Sequence, residues 1–367
     1  MKKNSIPVIY YHSVADHEKQ HPWAFLSVRI GVFKAQMKLL KILGYNTCNW
    51  GEFYEHSQGI KHLPKKTVFI HFDDGFLDNW TVVYPIMEKY NFKYSILITP
   101  DFIEKSEEIR GFITKTKHNN EQDWWGYLSE GEVKKMSASG LVDFQCHGYT
   151  HTWFESSEEI LDFYDGEKFL PHLNWNLNPE LKPFWLTKMS DMKVPLGFPV
   201  FEYKKSLELQ KAFILNEDFV KACLQNANEG KDTLRKIYES YKSTNKLGIW
   251  ETTEESQTRF EKELVQTREY IASLTKQESD YIVFPGGGNQ PNIIQLTKEL
   301  GFKIVSKGKG LNFFNSKKYQ MTRYAGFHDF KTLVFNGLLN VLFLYLQLLR
   351  GRGSKLVKMI IKRYQNV

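Results

Sequence analysis

Thr67-Val-Phe-Ile-His-Phe-Asp-Asp-Gly75 is an apolar run that stops abruptly on two carboxylates and a glycine. A short apolar run bounded by turn residues reads as a buried strand of a parallel sheet, and the Asp-Asp-Gly falls where that strand ends. A second stretch, Gln145-Cys-His-Gly-Tyr-Thr-His151, places His147 and His151 behind another short apolar segment. Carboxylates and imidazoles delivered to the ends of separate strands are the raw material of a catalytic metal site. One carboxylate and two histidines can bind a divalent ion and leave a position open for water or substrate. The other carboxylate is then free to act as a base, and the combination points to metal-assisted hydrolysis. Taken singly the signals are weak, because Asp-Asp-Gly ordinarily makes a turn and two histidines four apart are ordinarily solvated or structural. Their joint occurrence, in order and after strand-like runs, is what carries the reading.

Working outward, Ile6–Tyr10 reads as a strand, and Val32–Leu43 as a helix carrying Phe33, Met37, Leu40 and Leu43 at helical spacing before Gly44. A helix through Val82, Ile86 and Met87 follows Phe72, and Lys93–Ile98 is the next strand. Ser129 is the N-cap expected for a helix over Glu130–Ala138, with Gly140 ending it and Leu141–Gln145 following as a strand. From about residue 155 to 246 the alternation is lost in a stretch rich in Asn, Pro, Lys and aromatics. It resumes with a helix carrying Phe260, Leu264, Ile271 and Leu274, a strand at Tyr281–Phe284, the turn Pro285-Gly-Gly-Gly288, a helix opened by Pro291 and a strand at Phe302–Val305. Alternating strands and helices predict a parallel sheet or α/β barrel. The organisation expected is a split domain, 1–155 and 247–331, an insertion at 156–246 that is a candidate lid, and a tail at 332–367.

The chain has 367 residues, 42% hydrophobic and 25% charged, a globular composition. Its formal charge is +7, but residues 332–367 hold Arg350, Arg352, Lys355, Lys358, Lys362 and Arg363 and no acid, which leaves the body near +1. That distribution gives no reason to expect nucleic acid as a partner. Three cysteines, Cys48, Cys146 and Cys223, are far apart and odd in number, as in a reducing compartment. The N-terminal apolar run is very short and broken by Pro7, unlike a secretory segment of about 7–15 apolar residues. A cytoplasmic location is expected.

At these residues the sequence resembles the polysaccharide deacetylases, the NodB-homology group of carbohydrate esterases. Phe72-Asp-Asp-Gly75 is similar to their first motif, with His71 in place of the usual Thr or Ser. His147-Gly-Tyr-Thr-His151 resembles the second motif, and Tyr281-Ile-Val-Phe-Pro-Gly-Gly287 the third. Tyr11-His-Ser-Val14 and the stretch Leu128–His151 also fit. The resemblance implies an α/β fold, a distorted (β/α)7 TIM-like barrel of the NodB-homology type, here with a large insertion and a helical C-terminal tail. Its site would lie at the C-terminal ends of the strands. It implies metal-dependent hydrolysis of an N-acetyl group on an amino sugar, with Asp73 as base and Asp74, His147 and His151 as metal ligands. Zn²⁺ suits two histidines and a carboxylate, and Co²⁺, Ni²⁺ or Fe²⁺ fit the same set. Besides His71, the sequence departs from the family in three further places. Many members carry an Arg in the third motif that supports the base, whereas Val283 and Phe284 stand nearest here, and no later Asp-x-Trp or Leu-x-His is found.

The leaving amine needs a proton, and His328, in Gly326-Phe-His-Asp329, is the first candidate general acid, with His12 second. Pro285 and Gly286 are candidates for holding the oxyanion, since glycine lets the backbone approach a substrate closely, although the same residues also suit a tight turn. His71 is read as a core histidine and Cys146 as a small buried hydrophobe, a fourth thiolate ligand being the lesser alternative. Six of nine tryptophans lie between Trp124 and Trp250, so the insertion is a candidate roof for a saccharide, with Trp153 nearest the second motif. In the tail, Leu333–Leu349 is nearly all apolar but shorter than the ~20 residues of a spanning helix. Lys355, Lys358 and Lys362 face away from Leu356, Val357, Ile360, Ile361 and Tyr364, as in a helix lying on an anionic membrane surface, or one packed on the barrel or on a dimer partner. The expectation is a deacetylase of a polysaccharide, oligosaccharide or glycolipid, peripheral on the inner face of the cytoplasmic membrane. An O-acetyl sugar esterase and a non-catalytic glycan-binding protein are the alternatives.

Overall fold

The computed structural model describes residues 5–16, 24–113, 125–167, 170–187, 193–287, 291–306, 311–327 and 336–365. The N-terminal part runs β1 (Val8–Tyr11), β2 (Ser13–Val14), β3 (Ser27–Val28), α1 (Ile30–Ile42), β4 (Asn46–Cys48), α2 (Trp50–Gln58), β5 (Thr67–Phe72) and α3 (Tyr84–Tyr90). It continues through β6 (Tyr94–Ile98), α4 (Glu130–Ala138) and β7 (Val142–Cys146). All six residues of β5 and all five of both β6 and β7 are buried. Burial on both faces is what their apolar runs require, because helices cover the outer face of a parallel sheet. Helix α4 starts where the sequence places it, at a capping box. The Ser129 side chain accepts from the Glu132 backbone N–H, and the Glu132 side chain accepts from that of Ser129.

The chain then leaves the barrel. β8 (Trp153–Phe163), α5 (Pro171–Leu177), β9 (Pro199–Lys205), β10 (Phe213–Leu215), α6 (Glu217–Gln225), α7 (Lys231–Ser243) and β11 (Gly248–Trp250) build a second, antiparallel sheet in the order β11-β10-β8-β9. It has a small core of its own around Phe163, Phe201, Phe213, Phe219 and Tyr238. The barrel resumes with α8 (Thr253–Glu261), α9 (Thr267–Thr275), β12 (Tyr281–Ile282), α10 (Pro291–Glu299), β13 (Ile304–Val305) and β14 (Tyr324–Ala325). Its strands run β13-β12-β7-β6-β5-β1-β14, all parallel, with β4 beside the first half of β5. Among the described residues β13 and β14 do not pair, so the seven-strand path curls without closing and the barrel is distorted there.

Two helices complete the chain, α11 (Asn336–Gly351) and α12 (Lys355–Gln365). Phe343, Leu344, Leu348, Val357 and Ile361 are buried, and Gln36, on α1, donates from Nε2 to the carbonyls of Gly326 (2.8 Å) and Asn340 (3.0 Å). Part of the tail's apolar surface therefore covers the barrel, the arrangement set against membrane binding in the sequence reading. Leu338, Leu342, Leu356 and Met359 remain exposed. No helix among the described residues is long and apolar enough to cross a membrane.

Candidate active site

Strand β5 delivers its carboxylates through a turn that ordinary residues avoid. Asp74 and Gly75 both have φ 75°, in the left-handed region, and a Cβ at Gly75 would fall 2.9 Å from Ile98 Cγ2. This reversal sends Asp73 and Asp74 in different directions. Asp74 meets the histidines behind β7: its Oδ1 lies 3.1 Å from His147 Nε2 and 3.9 Å from His151 Nε2. One ligand atom from each of the three lies within 4.8 Å of the others. The Nδ1 atoms of both rings are buried with no hydrogen-bond partner among the described residues. Burial holds the His151 pKa down to about 4, so the ring is neutral and able to ligate at pH 7. At His147 burial acts the same way but is outweighed by the hydrogen bond and charge of Asp74, which raise its pKa. A carboxylate and two imidazoles converging in this way are a fitting donor set for Zn²⁺ or a similar divalent ion.

Asp73 is fully buried and surrounded by cations and donors. His71 Nδ1 lies 3.0 Å from its Oδ1, His12 Nε2 lies 3.8 Å from its Oδ2, and the Arg323 guanidinium donates to that same Oδ2. Burial pulls the carboxyl toward its neutral form. Arg323 first and His71 second more than offset it, and hold the pKa well below the usual carboxylate range. Burial also keeps His71 neutral, with a pKa of about 4, so it is the Nδ1–H tautomer that faces the ionised carboxylate. His71 is thus buried, as expected, but its role as a mere core residue is corrected: it binds the candidate base. Period-two alternation puts residues 71 and 73 on one face of a strand, a signal available in the sequence.

Arg323 is the residue that sequence reasoning missed. The support for the base comes from the residue just before β14, 250 positions away, in place of an Arg in the third motif. β14 pairs Tyr324 with Ile9 and Ala325 with Tyr10, so Arg323 enters from below the strand ends. Its guanidinium lies 4.2 Å from the centre of the Tyr10 ring and continues to Asp73. His12, at the end of β1, is held by the turn after β5. The Ser13 hydroxyl (2.6 Å) and the Val14 N–H (2.9 Å) donate to buried Asp78, and Asn79 Nδ2 donates to the His12 carbonyl (3.0 Å). His328 lies outside the described residues.

The glycine turn after β12 is tight, with φ 57° at Gly286 and 71° at Gly287, and the Gly287 N–H donates to the Phe284 carbonyl (2.8 Å). Pro285 abuts Gly148, next to His147: a Cβ on Gly148 would sit 3.4 Å from Pro285 Cγ. The insertion closes over this end of the barrel. Lys205, from β9, lies against Gly286 and places Nζ 4.6 Å from the centre of the Trp153 ring. Trp153 stacks on His172 at 5.2 Å, whereas Trp175 sets its ring edge-on to His151 at 5.6 Å. Trp175 therefore touches the ligand set directly, and the position nearest in sequence, Trp153, instead forms a wall with Lys205. Cys146 is fully buried with Sγ 3.1 Å from Ser279 Oγ, and burial raises its pKa to about 12, as for an inert thiol.

A model of the polysaccharide deacetylase family matches residues 60–175 and 223–305. Over 150 residues the chain is 33% identical to YxkH of Bacillus subtilis (strain 168), whose name places it with the polysaccharide deacetylases; the match covers 41% of this chain and 44% of that protein. Over 151 residues it is 32% identical to the poly-beta-1,6-N-acetyl-D-glucosamine N-deacetylase of Escherichia coli (strain K12), covering 41% of the chain and 21% of the relative. The chain thus spans less than half of either protein. The Staphylococcus aureus (strain MRSA252) enzyme of the same name is 26% identical over 236 residues, 60% of this chain and 69% of that one. Among solved structures, a de-N-acetylase from Aggregatibacter actinomycetemcomitans superposes with a TM-score of 0.53 at 16% identity, covering 89% of this chain and 98% of that one. At that identity the likeness shows a shared fold.

Proposed function

Because the chain belongs to the polysaccharide deacetylase family, we propose that it hydrolyses the N-acetyl group of an amino sugar in a polysaccharide, oligosaccharide or glycolipid, using a divalent metal. The observation that carries this reading is the convergence of Asp74, His147 and His151 beside a second carboxylate, Asp73, that its surroundings keep ionised. Asp74, His147 and His151 would hold the ion, which supplies Lewis acidity toward the acyl carbonyl and lowers the pKa of water toward about 7. Asp73 takes the proton of the attacking water, while Arg323 and His71 stabilise its charge before and after substrate binds. The Gly286 N–H is the donor offered to the developing oxyanion. His328 or His12, the latter 3.8 Å from Asp73, would give the departing amine its proton. Trp153, Trp175 and Lys205 line the approach for the sugar.

A purely binding barrel is the alternative suggested by the missing third-motif Arg and by the lack of the family's Asp-x-Trp and Leu-x-His; Arg323 beside Asp73 answers the first ground and leaves the second. The test is acetate release from N-acetylated saccharides by chelator-stripped protein, with and without Zn²⁺, beside Asp73→Asn; O-acetylated sugars in parallel address the esterase reading. Metal-dependent release from the N-acetyl substrates that is lost in Asp73→Asn is expected. A protein that binds no metal would sink the proposal. We further propose that the protein is peripheral on the inner face of the cytoplasmic membrane. Support comes from exposed Leu338, Leu356 and Met359 beside exposed Lys355 and Lys358 on two helices that contain no acid. Leu338→Glu with Leu356→Glu is expected to abolish sedimentation with phosphatidylserine vesicles, and unchanged sedimentation would refute that part alone.

A further inference from the structure

Lys182 belongs to the insertion, in the short helical turn Pro179–Phe184, yet its side chain is 1% exposed and reaches into the barrel. An ammonium has three donors, and here each finds an acceptor. They are the Thr150 carbonyl at 2.6 Å, Thr152 Oγ1 at 3.0 Å and Asp101 Oδ2 at 3.2 Å. Thr150 and Thr152 flank His151, so a single buried charge ties together both neighbours of a candidate ligand. Glu263 grips the same loop from the opposite side. It accepts from the N–H of Tyr149 (2.7 Å), from the N–H of Thr150 (3.2 Å) and from the Thr150 hydroxyl. Between the two grips His151 holds φ 53°, a left-handed backbone that a side chain disfavours.

A fully buried lysine is a poor way to gain stability, since an apolar side chain of similar length avoids the cost of desolvating the charge. What an ammonium does that an apolar chain cannot is fix three oxygens at once. We propose that Lys182 is a positioning residue: with Glu263 it locks the 147–152 loop so that His151 keeps the conformation that presents its ring to the metal. The insertion is then part of the metal site's construction as well as its roof. This inference rests on the metal-site reading of Asp74, His147 and His151.

The experiment uses the full chain, stripped of metal and titrated with Zn²⁺ and Co²⁺ by calorimetry, with the visible Co²⁺ spectrum recorded alongside. Substitutions behind metal ligands typically cost about 10–100-fold in affinity, and Lys182→Met is expected to fall in that range with an altered Co²⁺ spectrum. Lys231→Met, which removes a surface pairing with Asp162 and Asp165, is expected to change neither. Should Lys182→Met fail to fold, Thr152→Val removes one of the three acceptors and leaves the ammonium in place; a several-fold loss of affinity is expected. Wild-type affinity and spectrum in folded Lys182→Met, or in Thr152→Val if that variant must decide, overturns the inference. Wild-type protein that binds neither ion overturns the metal-site reading instead, and the inference with it.

Discussion

Replacing Arg323 with Met leaves a buried carboxylate, Asp73, without its strongest cationic partner. Two unit charges about 3 Å apart at an effective dielectric near 20 interact by about 5 kcal/mol. The His71 donor remains, and relaxation and water entry reduce the effect. The sign is fixed. Burial, the largest influence on Asp73, raises its pKa, so losing the guanidinium moves the carboxyl upward from its depressed value. The wild-type Asp73 contributes stability that is present above the unfolded carboxylate pKa and lost only as pH falls through the depressed folded value. In Arg323→Met that contribution is removed at neutral pH. Breaking a buried pair by removing one partner costs about 3–5 kcal/mol. With an unfolding entropy of about 2.1 cal/mol/K per residue, the 367-residue chain should lose about 4–6 °C in Tm at pH 7. Calorimetry across pH 4–8 and the pH profile of kcat/KM are the assays, with Arg323→Lys retaining much of the charge and falling between. A Tm and an acid limb both unchanged in Arg323→Met would refute the claim that this arginine sets the state of the base.

Gly286→Ala places a Cβ at φ 57°, 2.3 Å from Lys205 Cε. The lysine tip can swing away but must leave the Trp153 ring, so a raised KM and altered tryptophan fluorescence are expected, with about 1–2 kcal/mol of destabilisation from the backbone alone. Wild-type fluorescence and KM would count against a wall built from these three residues. Asp143, buried beneath the Trp50 N–H, has its pKa raised by burial to about 7. Between the ordinary carboxylate value and that pH the folded chain holds a proton the unfolded chain has lost, so stability declines as pH rises through this window. Asp78, at about 6, and Glu155, at about 7, act in the same direction. Asp143→Asn should therefore flatten the fall in Tm from pH 5 to 8, and a slope equal to wild type would show that Asp143 does not titrate there.

The residues that lie within one strand and its following turn were legible in the sequence. Asp73, Asp74, His147 and His151 each follow an apolar run, and local pattern sufficed to place them at strand ends. The N-cap at Ser129 and the strand at Thr67–Phe72 were read for the same reason. What stayed hidden depends on who meets whom across the barrel. Arg323 is an unremarked cation in Met321-Thr-Arg-Tyr324 until β14 docks beside β1. Lys182 looks like one more solvated lysine of a Pro-rich insertion, and Glu263 like an exposed residue of a long helix. Glu263 in fact sits in a π-turn, Lys262–Gln266, and Asn79 in another, Asn79–Val83. Such turns reset the direction of side chains along a helix, so 3.6-residue periodicity misjudges where they point. Both π-turns here hold site loops in place.

The pairing of Asp73 with Arg323 also has a consequence in time. The two residues are 250 positions apart, and a chain emerging from the ribosome completes β5 long before β14. Until then a carboxylate sits in the growing barrel with burial acting on it and no guanidinium to oppose it. A barrel lacking β14 is expected to hold the Asp73 carboxyl at a higher pKa than the complete one. Docking of β14 then does two things at once: it pairs with the free edge of β1 and brings the guanidinium that keeps Asp73 ionised. On the role proposed for Asp73, hydrolysis would then report that β14 has docked.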